Sequence, residues 1–148
     1  MTHVPLPAHA PLELEHFLPY RLSILSNTVS QGIADEYQSR FQLSMTEWRV
    51  MTVLARFPAS SATQVVERTR MDKVAVSRAV ARLVEAGRVD RDTYDGDKRR
   101  SVLKLSEAGW AIHDEVAPMA REHERELLEK LSDDEKLWLG RILDKLLS

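Results

Sequence analysis

The sequence lacks cysteine altogether and is sparing with glycine, which occurs five times in 148 residues. Without cysteine, disulfide bonds, thiolate metal sites and a cysteine nucleophile are excluded. No stretch approaches the roughly 18 apolar residues of a membrane span, so we expect no membrane partner. The N-terminus has no basic segment followed by an apolar one, and we interpret residues 1–11 as a flexible arm of a cytoplasmic protein.

Neither sign of charge dominates, since the formal net charge is −2, but the charges are unevenly distributed. Residues 68–104 contain 11 Lys and Arg against 6 Asp and Glu, a net charge of +5, whereas residues 105–148 have a net charge of −5. Because a local basic region attracts a polyanion, the segment 68–104 is a candidate nucleic-acid surface. The alternative is an ordinary fluctuation in a solvated surface.

Capping signals and apolar spacing divide the chain into six helices and one hairpin. Pro19 fits the first turn of a long amphipathic helix. Five further helices are predicted to start at capping residues, which are Ser44, Ser61, Asp72, Ser106 and Ser132. Two alternating segments, 88–94 and 101–105, predict the strands of the hairpin, between the fourth and fifth helices.

This order predicts a mainly α fold of the α+β winged helix-turn-helix type. We expect one domain over residues 12–148, with the winged-helix module at 43–105. The long helices at 12–42 and 106–148 carry apolar stripes without a partner in such a small module. The simplest explanation is a twofold dimer built by these terminal helices. The alternative is a monomer whose long helices fold back on themselves.

The fourth helix has two chemically different sides. Its apolar residues fall on one side and should face the core: Val76, Ala79, Val80, Leu83 and Val84. The outward residues suit the major groove of DNA, because small side chains admit the helix and arginine can bond guanine at two points. These predicted DNA-binding residues are Lys73, Val74, Ser77, Arg78 and Arg82. The alternative is an ordinary solvated face.

The hairpin that follows is expected to place positive charge at its tip. Lys98, Arg99 and Arg100 stand in a row there, and Asp97 can orient one arginine. Beside a recognition helix, such a tip can enter the minor groove, whose negative potential attracts basic side chains. All four residues are therefore predicted to be wing contacts. The alternative is a solvent-exposed hairpin whose charges serve solubility.

Three segments resemble the MarR (multiple antibiotic resistance regulator) winged-helix transcription factors. "DKRRSVLKLSEAG" is similar to the wing signature of that family: Asp97, Arg99, Leu105 and Gly109 match it, and Ser106 replaces the usual Thr. Residues 76–91 resemble the family's recognition helix, and residues 43–54 resemble its second helix. The resemblance covers roughly residues 18–148. It implies a homodimer that binds palindromic operators, usually as a repressor, and releases them when a small molecule binds.

The start of the third helix departs from this pattern because it is poor in basic residues. We expect Ser60, Ser61 and Thr63 to contact DNA phosphates there, through hydroxyl and backbone amide groups only. The alternative to a DNA-binding regulator is a protein-interaction module that has kept the winged-helix fold but lost DNA binding. The intact basic wing and Arg78 favour the DNA-binding regulator.

No catalytic constellation or cofactor motif occurs, so we expect neither an enzyme nor a bound cofactor. The five histidines are not spaced as a metal-binding pair on a helix, and no metal site is predicted. A small-molecule effector site is expected where the long helices meet the DNA-binding module, formed by Arg21, Ser23, Asn27 and Trp48. This set suits an aromatic acid or its thioester, and residues 17–27 resemble family members that control aromatic-acid catabolism. The alternative is that Trp48 belongs to the core and Arg21 to a surface ion pair.

Overall fold

The computed structural model describes residues 9–94 and 97–148, without the side chains of residues 93–100. A short 3₁₀ turn, Leu14–His16, precedes the first helix. The elements then follow in the predicted order: α1 (Leu18–Phe41), α2 (Met45–Arg56), α3 (Ala62–Thr69), α4 (Lys73–Glu85), β1 (Val89–Tyr94), β2 (Asp97–Leu105), α5 (Glu107–Leu128) and α6 (Asp133–Leu147). The predicted winged helix-turn-helix fold is confirmed.

The predicted capping residues start their helices by direct side-chain bonds. Ser44, Ser61 and Ser132 form complete capping boxes, in which the serine hydroxyl accepts from a backbone N–H and a Glu or Gln side chain accepts in return. The bond from the Ser132 backbone N–H, together with that of its side chain, holds the pKa of Glu135 below its usual value. Asp72 and Ser106 cap α4 and α5 with a single bond each. Local sequence therefore sets these helix starts.

The hairpin is longer than predicted, because its second strand begins at Asp97 rather than at residue 101. β1 and β2 pair antiparallel, with Val89 opposite Leu105, and the register shifts between Asp92 and Tyr94. Ser60 adds a short bridge to this sheet: its N–H donates to the carbonyl of Leu103 (3.2 Å), and its own carbonyl accepts from Leu103 (2.8 Å). The connection between α2 and α3 is thus joined to the base of the wing.

The core lies inside the winged-helix module and continues between α1 and α5. α2 packs against α3, α4, β2 and α5, while α1 packs mainly along α5. The predicted inner side of α4 is confirmed, with Val84 half-buried and the others buried: Val76, Ala79, Val80 and Leu83. Burying each of the larger side chains contributes roughly 1.5–3 kcal/mol. This packing of the apolar side of α4 determines which side of the helix faces solvent.

Both ends of the chain leave apolar surface exposed within one protomer. No residue of α6 is buried. Its large apolar side chains are 38% to 82% exposed, as are several on the early part of the chain at 38% to 63%. The exposed residues of α6 are Leu137, Trp138, Leu139, Ile142, Leu143, Leu146 and Leu147, and those near the N-terminus include Leu12, Phe17, Leu18, Leu22, Ile24 and Leu25.

Replacement of Gly109 by alanine should be strongly destabilising. A Cβ there would stand 2.1 Å from the carbonyl oxygen of Arg88, so that the start of α5 must move away from the α4–β1 connection. We expect a loss of about 1–3 kcal/mol or more in the free energy of unfolding, measured by chemical denaturation. Gly32→Ala is the matched control, because its Cβ meets His123 at an ordinary 3.4 Å. A Gly109→Ala protein as stable as Gly32→Ala would contradict this account of α5 packing.

Candidate nucleic-acid interface

The outward side of α4 presents the predicted set of side chains to solvent. Lys73, Val74, Ser77, Arg78 and Arg82 are all exposed. Val74 is an apolar side chain with 56% of its surface open, at the first turn of the helix. Small and basic groups thus share one surface above the buried side. An α-helix with such a surface has the dimensions to enter the major groove.

A shallow groove runs between α3 and this side of α4. Its lining brings Thr63 together with Lys73 and Ser77, and all three are exposed. The hydroxyl of Ser61 accepts the N–H of Gln64 at 3.1 Å, and the residue remains half-exposed beside the groove. Thr63 therefore lies next to the outward side of α4, and the contact of Thr63 and Ser61 with phosphates stays a prediction. Glu67 also lines the groove, an acidic residue that sequence reasoning did not include.

The prediction that Ser60 contacts a phosphate is wrong. Ser60 is only 1% exposed, and its backbone is paired with Leu103. Its hydroxyl donates to the carbonyl of Phe57 and accepts from the guanidinium of Arg68, both at 2.7 Å. A buried hydroxyl with both roles filled has nothing to offer a phosphate. Ser60 instead ties the α2–α3 connection to the wing.

Two arginines lie beside this connection. The guanidinium carbon of Arg68 stands 4.2 Å from the centre of the Phe57 ring, and that of Arg56 stands 5.1 Å from it. These are cation–π distances. Sequence reasoning missed this cluster, because the spacing along the chain does not show that Phe57 and Arg68 meet. It adds positive charge near the base of the wing.

The structure describes the predicted wing contacts only in part. Asp97, Lys98, Arg99 and Arg100 belong to β2, so their backbone position at the far end of the hairpin agrees with a wing. Their side chains lie outside the described residues, and the pairing of Asp97 with an arginine stays a prediction. Lower on the hairpin, Lys104 pairs with Asp92 at 3.2 Å. Both groups are half-exposed, and such pairs contribute little stability.

The four residues predicted to bind an effector do not meet within one protomer. Arg21, Ser23 and Asn27 are exposed on the first half of α1. Arg21 lines a depression with neighbours from its own helix. Trp48 lines a separate cavity of about 190 Å³ between α1 and α2, with Ser30, Ile33, Tyr37, Met45, Arg49 and Thr52.

The cavity at Trp48 combines aromatic, polar and cationic groups. Burial raises the pKa of the Tyr37 phenol, and the charge of Arg49 partly opposes this effect. The Trp48 ring lies 5.6 Å from that of Tyr37 and stacks on His113 of α5 at 5.8 Å. His113 in turn contacts Trp110 edge-on at 5.4 Å. The cavity is thus built from α1 and α2 and is backed by α5.

Neither a metal centre nor a membrane-spanning helix emerges from residues 9–94 and 97–148. Among the side chains described within those ranges, no three His, Asp or Glu group in a way that could hold a metal ion. None of the helices described there is long and apolar enough to cross a bilayer.

These features define a winged-helix protein whose fourth helix exposes small and basic side chains, and comparison with known proteins agrees with this fold. The MarR family profile matches residues 41–100. The HTH-type transcriptional regulator PecS of Dickeya dadantii (strain 3937) is 28% identical over 127 residues, covering 84% of this chain and 76% of PecS.

Solved structures agree in fold. A MarR/EmrR family transcriptional regulator from Acinetobacter sp. ADP1 is 29% identical with a TM-score of 0.81, covering 91% of this chain and 95% of that one. A mutant of MarR from E. coli in complex with operator DNA is 25% identical with a TM-score of 0.76, covering 94% and 100%. The chain is therefore similar to the MarR family of winged-helix, DNA-binding transcriptional regulators, and these relatives are regulators rather than enzymes.

Replacement of Arg78 by alanine should separate base reading from phosphate binding. We expect a loss of about 1–3 kcal/mol on a specific operator, the value of one good base contact. The loss on random duplex DNA should be smaller, because only phosphate contacts operate there. Binding titrations on both duplexes measure the difference. Equal losses would show that Arg78 is a phosphate anchor and not a base reader.

Proposed function

We propose that this protein is a homodimeric, sequence-specific repressor in the cytoplasm that binds a palindromic operator and releases it when a small molecule binds. The observation that carries the proposal is the two-sided α4, with apolar residues buried below an exposed surface of Lys73, Val74, Ser77, Arg78 and Arg82. A MarR protein crystallised with operator DNA shares this fold.

DNA contacts are assigned by the position of each element. Arg78 and Ser77 on α4 are proposed to read base edges, and Val74 to meet a thymine methyl group. Thr63 and Ser61 are proposed to bind phosphates beside them. The wing residues Asp97 to Arg100 would reach the minor groove, as their sequence predicts.

Dimerisation is supported by the apolar surface at both ends of the chain. An exposed apolar surface of this extent marks an interface. A twofold dimer joined through α1, α5 and α6 would carry two α4 helices. If these stand about 34 Å apart, they match two half-sites one DNA turn apart, which is why we propose a palindromic operator.

The effector is proposed to be an aromatic acid or its thioester, bound in the cavity at Trp48. Trp48 and Tyr37 can stack on an aromatic ring, and Arg49 can pair with a carboxylate. The cavity lies between a dimerisation helix and the DNA-binding module, so a ligand there would change how the two sit together. The proposed effector site therefore keeps Trp48 from the sequence prediction. Arg49, Tyr37 and Ser30 take the places of Arg21, Ser23 and Asn27.

Binding to random duplex DNA at two salt concentrations tests the DNA-binding part of the proposal. A protein that neutralises several phosphates loses affinity steeply as salt rises, because counterions are released on binding. We therefore expect measurable binding at about 50 mM salt and a loss of roughly 10³-fold or more at 200 mM, if six or more phosphates are contacted. No binding at low salt would favour the protein-interaction module instead.

The effector site is tested with benzoate and benzoyl-coenzyme A as probes. We expect at least one of them to release the protein from its operator and to quench tryptophan fluorescence. Arg49→Gln should raise the concentration needed for release by about tenfold, the order of one charged hydrogen bond. Arg21→Gln is the matched control and should leave it unchanged. Release that depends on Arg21 and not on Arg49 would return the site to the sequence prediction; no release by either probe would reject this effector class.

A further inference from the structure

Arg88, in the connection between α4 and β1, bonds to three other parts of the chain. Its backbone N–H donates to the carbonyl of Leu83 in α4 at 2.9 Å. Its carbonyl accepts the N–H of Ser106, the capping residue of α5, at 3.1 Å. Its guanidinium Nη2 donates to the carbonyl of Phe41, the last residue of α1, at 2.7 Å. One residue therefore joins the recognition helix to both long helices.

The bond to Phe41 has a clear physical basis. The last carbonyls of a helix have no partner within the helix, and the helix dipole makes that end negative. α1 ends there, because Gln42 takes a left-handed conformation with φ 54°. A guanidinium is a charged donor, and the bond is half-buried, so solvent screens it less than a surface contact.

The backbone of Arg88 has little freedom to move. Gly87 precedes it in a left-handed conformation with φ +73°, two residues after the end of α4. On the other side, the carbonyl of Arg88 lies so close to α5 that a Cβ on Gly109 would stand 2.1 Å from it. With the backbone held on both sides, the side chain spans the distance from the end of α4 to the end of α1.

Other packing relates α1 to α4 mainly through α2 and α5. α1 packs mainly along α5, whereas α4 packs against α2, α3 and β1. Arg88 lies in the basic segment 68–104, yet its role differs from that of the exposed Arg78. It is half-buried, and its guanidinium already bonds a carbonyl.

We propose that Arg88 is a positioning residue that sets the angle between the recognition helix and the dimerisation helix, and thereby the half-site spacing that the dimer accepts. The inference rests on the proposed dimer and palindrome. In a twofold dimer, a small rotation of α4 against α1 occurs in both protomers, so its effect on the separation of the two reading heads is doubled.

The test uses the palindromic duplex that the native protein selects from a random library, and the same duplex with one base pair added between half-sites. The insertion moves one half-site by about 3.4 Å along the axis and turns it by roughly a tenth of a turn. The measured quantity is the spacing ratio, the Kd on the longer duplex divided by the Kd on the selected one. Arg88→Met should lower this ratio by about fivefold or more, because the reading heads can then adjust.

Arg125→Met is the matched control, since Arg125 is an exposed arginine of α5 that pairs only with Glu122 and Glu129 among the described residues. Arg125→Met removes the same charge and should keep the native spacing ratio. Arg88→Lys retains a charged donor, so its spacing ratio should lie between those of the native protein and Arg88→Met. If Arg88→Met does not fold, Arg88→Gln takes its place with the same expected direction.

A native ratio that persists in the Arg88 variant overturns the positioning role. So does an equal fall in Arg125→Met, which would make charge the cause. A native protein without any spacing preference overturns the proposed dimer on a palindrome and this role with it. If the native protein prefers one spacing and Arg88→Met keeps that preference, only the role of Arg88 is overturned. The failure of the dimer proposal and the failure of the Arg88 proposal are therefore distinguishable.

Discussion

The apolar surface that one chain cannot bury is the constraint on which the arrangement of this protein depends. α6 has no buried residue, and large apolar side chains near the N-terminus are equally open. Burying each such side chain fully would stabilise the protein by roughly 1.5–3 kcal/mol, which the single protomer does not gain. In the proposed dimer, a second copy of the chain would offer the matching surface. The protomer core, by contrast, is confined to the winged-helix module and the facing parts of α1 and α5.

Within that module, burial and DNA reading are two sides of the same helix. Leu83 and Val76 seat α4 on α2, and this seat determines that Arg78 faces solvent. Ser60 and Leu103 join the α2–α3 connection to the wing sheet by two backbone bonds. Arg88 then relates this module to α1. The proposed DNA contacts, the proposed dimer and the proposed effector cavity are thus connected through a few bonds between elements.

Local features were predictable from the sequence because their causes are local. The capping boxes at Ser44, Ser61 and Ser132 involve residues three positions apart, and the two sides of α4 follow from its helical period. The wing signature marked the hairpin, although β2 starts earlier than alternation alone indicated.

Contacts between distant segments were not predictable in the same way. Ser60 looked like an exposed residue with a free hydroxyl until its backbone pairing with Leu103 and the bond from Arg68 to its hydroxyl were visible. Arg21 and Trp48 were grouped by residue type, but Arg21 lies about 18 Å along α1 from Ile33, which does line the cavity at Trp48. The side chain of Arg88 bonds to a backbone carbonyl. Every residue has such a carbonyl, so the sequence does not indicate which one an arginine will contact.

The most direct test of the central claim is the mass of the free protein in solution by light scattering. For a chain of 16.9 kDa, the account predicts a particle of two chains at micromolar concentration. A chain that ends before α6 should be a single chain or should aggregate, because it lacks apolar surface that the partner needs. A folded, soluble full-length protein at the mass of one chain would contradict the account.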